Sequence, residues 1–211
     1  MNSLAQTSSA TNSWLQRNSV VGWSAIASGL SLIIIGQKPY FPPSWSLGLL
    51  VGGLALYLGM IPVIRWMSQD LTTRHKGDAG RAIRVVEIMG LTGAGVAAIT
   101  VLLALPHWLP AVPAQILDTS SLGVIGLWLI IVNALAFRVQ LLNRVLAVLG
   151  VVAGMSWLLA AVTMWAELMT GARGSITPTL ENLRTLAGYV GSACYLIWAL
   201  WLGVWLLRRK R

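Results

Sequence analysis

Six carboxylates, two histidines and one cysteine are all the carboxylate, imidazole and thiol groups of this 211-residue chain. Their spacing excludes more chemistry than it suggests. His75 and His107 fall in polar connectors on opposite sides of the apolar runs, so they cannot ligate one haem or one metal ion across a bundle. The sequence has no His-Glu-x-x-His, no Gly-x-Ser-x-Gly, no Cys-x-x-Cys and no pair of aspartates inside an apolar run, which removes the common routes to hydrolysis and thiol chemistry. No lysine lies within an apolar run, so a Schiff base with a buried chromophore has no amine to form on. Mid-depth ionisable groups, which an ion pump or proton-coupled carrier requires, are absent from this reading. The sequence therefore predicts no catalytic residue, no metal site, no cofactor and no enzymatic activity.

Three features remain as candidates. Glu87 is an acid at the start of an apolar run, and an acid in a membrane span is a functional hypothesis by default. It lies one turn inside from Arg84, however, near a helix N-terminus that favours negative charge, and a structural role is expected, the carboxylate reaching the interface or pairing with Arg84. Asn133 is an amide about one and a half turns from Arg138, and in hydrocarbon it must find a partner on a neighbouring helix. A packing clamp between helices is the expectation. Cys194, Trp198, Trp201 and Trp205 recur at i, i+4, i+7 and i+11, one face of a helix. Trp128 and Trp157 also lie mid-run, away from the interfacial level where Trp collects. Such indoles are expected to pack or face lipid; the alternative is a site for a flat hydrophobic molecule such as a quinone, a pigment or a lipid. Glu167, at the end of another run, is expected to face water.

These candidates need elements to position them, and composition says which. Apolar residues are 56% of the chain, charged residues only 10%, and mean hydropathy is +0.74, values of a multi-span membrane domain and not of a single soluble core. The predicted fold class is all-α, a bundle of six transmembrane helices over 20–36, 47–64, 85–105, 121–137, 145–166 and 187–207. Residues 1–19 read as a flexible polar tail and 208–211 as a basic one. The run at 20–36 reads as a retained span and not as a cleaved signal, because the first basic residue comes only at Arg17 and no small-residue cleavage site follows. Tyr40-Phe-Pro-Pro-Ser-Trp45 reads as a stiff aromatic turn, 68–84 as a polar loop, and 106–120 as a proline-broken connector. Thr177-Pro178 has the form of a helix start. Gly48-x-x-x-Gly52, Gly150-x-x-x-Gly154 and the small residues of 90–95 are places where a neighbouring backbone can come close.

Six spans put both termini, 68–84 and 138–144 on one side. Twelve of the fifteen Lys and Arg residues then share that side, and only Lys38, Arg173 and Arg184 lie on the other. Basic residues in short loops stay in the cytoplasm, so both termini are expected there. The formal charge of +9 is accounted for by these span ends, and nucleic-acid binding is not expected.

The stretch Leu141-Leu-Asn-Arg-Val-Leu-Ala-Val-Leu-Gly-Val-Val-Ala-Gly154, preceded by Gly126-Leu-Trp-Leu, resembles the second half of a group of uncharacterised bacterial multi-span membrane proteins. The likeness covers residues 122–166. It implies a six-helix bundle and no mechanism. The reading of the whole is a non-enzymatic structural or interaction subunit of a bacterial cytoplasmic membrane, in contact with the lipid bilayer and with protein partners or further copies of itself. The alternative is a binder or carrier of a small hydrophobic molecule.

Overall fold

A computed structural model of the chain describes residues 2–36, 46–74, 78–104, 108–169 and 177–209. The turn Tyr40 to Trp45, both histidines, Lys38, Arg173 and the last two basic residues lie outside them. The described residues form six helices and no strand: α1 (Asn2–Gly36), α2 (Ser46–Arg74), α3 (Asp78–Ala104), α4 (Ala111–Arg138), α5 (Arg144–Met169) and α6 (Thr177–Arg208). All six carry an apolar stretch long enough to cross a bilayer. The protein is a multi-span integral membrane protein.

The helices outrun the apolar runs that announce them. The stretch 1–19, expected as a flexible tail, is helical from Asn2 onward and continuous with the first span. The expected loop at 68–84 is mostly helix, since α2 persists to Arg74 and α3 starts at Asp78. An i, i+4 pair between Asp70 and Arg74, 3.0 Å apart, supports the last turn of α2. The connector at 106–120 shrinks likewise, because α4 begins right after Pro110. Pro113 then falls in the first turn, where the missing N–H would have had no intrahelical partner.

Each helix packs against its neighbours in sequence, and α6 closes on α1, giving a ring of six antiparallel helices. Trp128, Trp157, Trp198, Tyr195, Met60 and Met67 are buried between the helices. Two seams close down to backbone contact. A methyl group added at Gly126 would lie 2.6 Å from the carbonyl oxygen of Gly154, so α4 and α5 touch main chain to main chain there. At the α1–α6 seam, a methyl at Gly203 would lie 2.6 Å from the Gly22 oxygen.

The turn between α4 and α5 shows why 138–144 is so short. Leu141 N–H bonds to Ala136 O (2.9 Å) and Gln140 N–H to Phe137 O (3.1 Å), the paired bonds of a Schellman close, with Gln140 in the left-handed region at φ 53°. Leu141 and Leu142 tuck back into the core. Asn143 then caps α5, its Oδ1 accepting from Leu146 N–H at 2.7 Å.

If the Gly126–Gly154 contact sets the α4–α5 spacing, Gly154→Val should destabilise the detergent-solubilised protein by about 1–3 kcal/mol, the usual range for overpacking. Gly95→Val is the control, since a methyl at Gly95 meets nothing within 4 Å. Thermal unfolding that ranks the two variants equal would remove this account of the seam.

Candidate functional site

Two of the polar side chains that the ring buries, Asn133 and Ser28, join its helices to one another. Asn133 of α4 is fully buried, and the Cβ that Gly150 of α5 lacks would collide with its amide group. The glycine is therefore a niche for the amide. From that niche Asn133 Oδ1 accepts a hydrogen bond from Trp198 Nε1 of α6 at 3.0 Å, while its Nδ2 donates back to Leu129 O at 2.8 Å. One amide thus joins α4 and α6 across the face of α5. Trp198 is in turn 5.6 Å from the ring of Tyr195, which lies 4.9 Å from Trp157 of α5.

Tyr195 extends the set to the other side of the ring. Ser28 of α1 donates to Leu56 O of α2 at 2.9 Å, which commits its only hydrogen. The 2.6 Å contact between Ser28 Oγ and Tyr195 OH is therefore donated by the tyrosine. Five of the six helices meet through Ser28, Leu56, Asn133, Trp157, Tyr195 and Trp198. The arrangement satisfies polar groups and stacks rings.

The tryptophan stripe is divided among three environments. Trp198 is 0% exposed and belongs to the central cluster, whereas Trp201 is 41% exposed on the outer surface. Trp205 is half-buried, edge-on to Trp66 of α2 at 6.3 Å, with the Arg209 guanidinium 4.8 Å above its ring. Positions 198 and 201 diverge by about 60° around a helix of 3.6 residues per turn, enough for a seam to fall between them. The three indoles do not share one wall. Trp128 is buried against Gly90 of α3, and its Nε1 has no acceptor among the described residues.

Glu87 is half-buried at the tenth position of α3, and of its two expected placements, at the interface or paired with Arg84, the pair is not formed among the described residues. An exposed pair gains little against the entropy of holding two long side chains, so nothing compels it. Glu167, two residues from the end of α5, is partly buried and paired with Arg184 at 3.2 Å, joining α5 to α6.

Asp118 is the residue that sequence reasoning passed over. Assigned to a connector, it is instead the eighth residue of α4 and lies within a candidate membrane span. Its Oδ1 accepts a 2.6 Å hydrogen bond from Tyr57 OH of α2, a link between two helices that are not neighbours in the ring. The expected connector at this position is corrected to helix, and Asp118 stands about two turns inside it. The available signal was Pro110 and Pro113, whose preference for the first turn of a helix puts Asp118 inside it.

No family model, curated protein or solved structure matches the chain, the stretch 141–154 included.

A double-mutant cycle should measure the central hydrogen bond. Asn133→Ala and Trp198→Phe are each expected to destabilise the protein, and together to cost less than the sum, with a coupling of about 0.5–1.7 kcal/mol. Strict additivity in thermal or denaturant unfolding would mean that the bond contributes nothing.

Proposed function

We propose that this protein is a non-enzymatic structural or interaction subunit of a bacterial cytoplasmic membrane, with both termini in the cytoplasm. The observation that carries the reading is the occupation of the bundle centre by the protein's own rings and polar groups. Trp198, the most central indole of the stripe, has its N–H committed to Asn133 and its faces to neighbouring side chains. That arrangement favours rigidity over turnover. Carriage of a quinone or pigment at the stripe is disfavoured by the separation of Trp198, Trp201 and Trp205. The orientation is supported by the twelve-to-three distribution of basic residues, counted over short loops and span ends.

Orientation is tested with single cysteines in a Cys194→Ser background. Gly77→Cys and Ala111→Cys should react with a membrane-impermeant thiol reagent from opposite sides of sealed vesicles, Ala111→Cys from the outside. Reaction of both from one side, or the reverse sidedness, would overturn the assignment.

The structural reading is tested by what accompanies the protein out of the membrane. Purified in mild detergent, it should be colourless and should bring down protein partners or copies of itself. A stoichiometric hydrophobic molecule lost on Trp198→Leu would replace the subunit reading with that of a carrier.

A further inference from the structure

A cleft of about 380 Å³ opens between α1 and α2 at the level where the apolar stretch of α1 begins. Its composition is two-part. Val20, Val21, Ile61 and Pro62 form an apolar side, and two guanidinium groups, Arg17 and Arg65, stand beside it. Trp66 completes the wall and is held by its edge-on contact with Trp205.

The depth of the two arginines is set by helix geometry. Arg65 lies nineteen residues from Ser46 in α2, and Arg17 nineteen residues from Gly36 in α1. At ~1.5 Å per residue both stand ~29 Å from the opposite ends of their helices, close to the ~30 Å thickness of the hydrocarbon. Both guanidiniums are therefore at the level of the headgroups, with apolar side chains next to them on the membrane side. Arg17 is held across the cleft by a hydrogen bond from Nη2 to Gln69 Oε1 of α2. Arg65 meets no carboxylate among the described residues, because Asp70, the acid nearest to it along α2, is paired with Arg74. The cleft thus presents positive charge that no carboxylate among the described residues neutralises, in the planar donor geometry that grips phosphate oxygens in pairs.

We propose that this cleft binds the phosphodiester headgroup of an anionic glycerophospholipid, with the upper part of an acyl chain along Val20, Val21, Ile61 and Pro62. The phosphate lies between Arg17 and Arg65. Apolar wall and cationic rim together call for an amphiphile, since a soluble anion would leave the apolar side wet and a neutral lipid would leave the charges unmatched. The site requires no particular orientation of the protein, and it is separate from the central cluster.

The test is native mass spectrometry of the delipidated protein in mild detergent, offered equal amounts of phosphatidylglycerol and phosphatidylcholine with the same chains. The wild type should retain phosphatidylglycerol over phosphatidylcholine by roughly tenfold or more, and Arg17→Gln/Arg65→Gln should bring that preference down to about parity. Arg84→Gln/Arg138→Gln removes the same charge from the same end of the bundle and should leave it unchanged. Arg65→Gln alone carries the test if the double variant does not fold, because Arg65 makes no polar contact within the described protein. Equal loss in both double variants would reduce the effect to general surface charge and overturn the site. So would an unchanged preference in Arg65→Gln and in Arg17→Gln/Arg65→Gln. A soluble glycerol phosphate that displaces the lipid at equal concentration would show that the apolar wall takes no part, which also overturns the proposal.

Discussion

Helices inside hydrocarbon gain little from burying one apolar surface against another, since lipid is as apolar as leucine. They associate where backbones can come close and where polar side chains find partners. Both conditions are met along one line in this bundle. Gly126 and Gly154 bring α4 and α5 into main-chain contact, and four residues earlier on α5 Gly150 leaves room for the Asn133 amide. With a side chain at either glycine of α5 the helices would stand further apart. Asn133 could not then lie flat against α5 and reach Trp198 on α6. From Trp198 the contacts run through Tyr195 to Ser28 and on to α2, so the position of most of the ring descends from the spacing of one helix pair.

The stretch 141–154 can now be read residue by residue. Leu141 and Leu142 are the apolar close of the turn, Asn143 is the cap of α5, Arg144 is its first residue, and Gly150 and Gly154 are the two contacts with α4. The phrase is legible in sequence as a helix start followed by small residues. Its real content, the pairing of Gly150 with Asn133 and of Gly154 with Gly126, joins positions 17 and 28 residues apart and cannot be seen in local pattern.

The same contrast runs through the rest of the chain. Six spans are evident because each needs only length and apolar content, and all six are present. Their ends are not evident, because hydropathy marks where a helix leaves hydrocarbon and says nothing about where its hydrogen bonds stop. Ser68 to Arg74 and Val112 to Ser120 are polar or proline-bearing and helical all the same. Asp118 was hidden by that error. The spacing of Trp198, Trp201 and Trp205 places them within about 60° of one another around α6. A side of α6 nevertheless covers both the bundle interior and the lipid, and only the placement of α1 and α5 decides which indole goes where.

Closure of the ring by α6 on α1 bears on how the protein is made. During synthesis α1 precedes α6 by some 140 residues, yet α6 supplies the partner for Gly22 and the hydroxyl that meets Ser28. At ~5–20 residues per second, α1 waits several seconds or more in the bilayer with that flank uncovered. Its half-made state is held by α2 alone, through the bond from Ser28 to Leu56 O, which is available as soon as the first hairpin is inserted. Nascent chains stalled before α6 should therefore present a small-residue flank on α1 to whatever insertion factors or neighbouring helices are near, and the last helix to arrive ends that exposure.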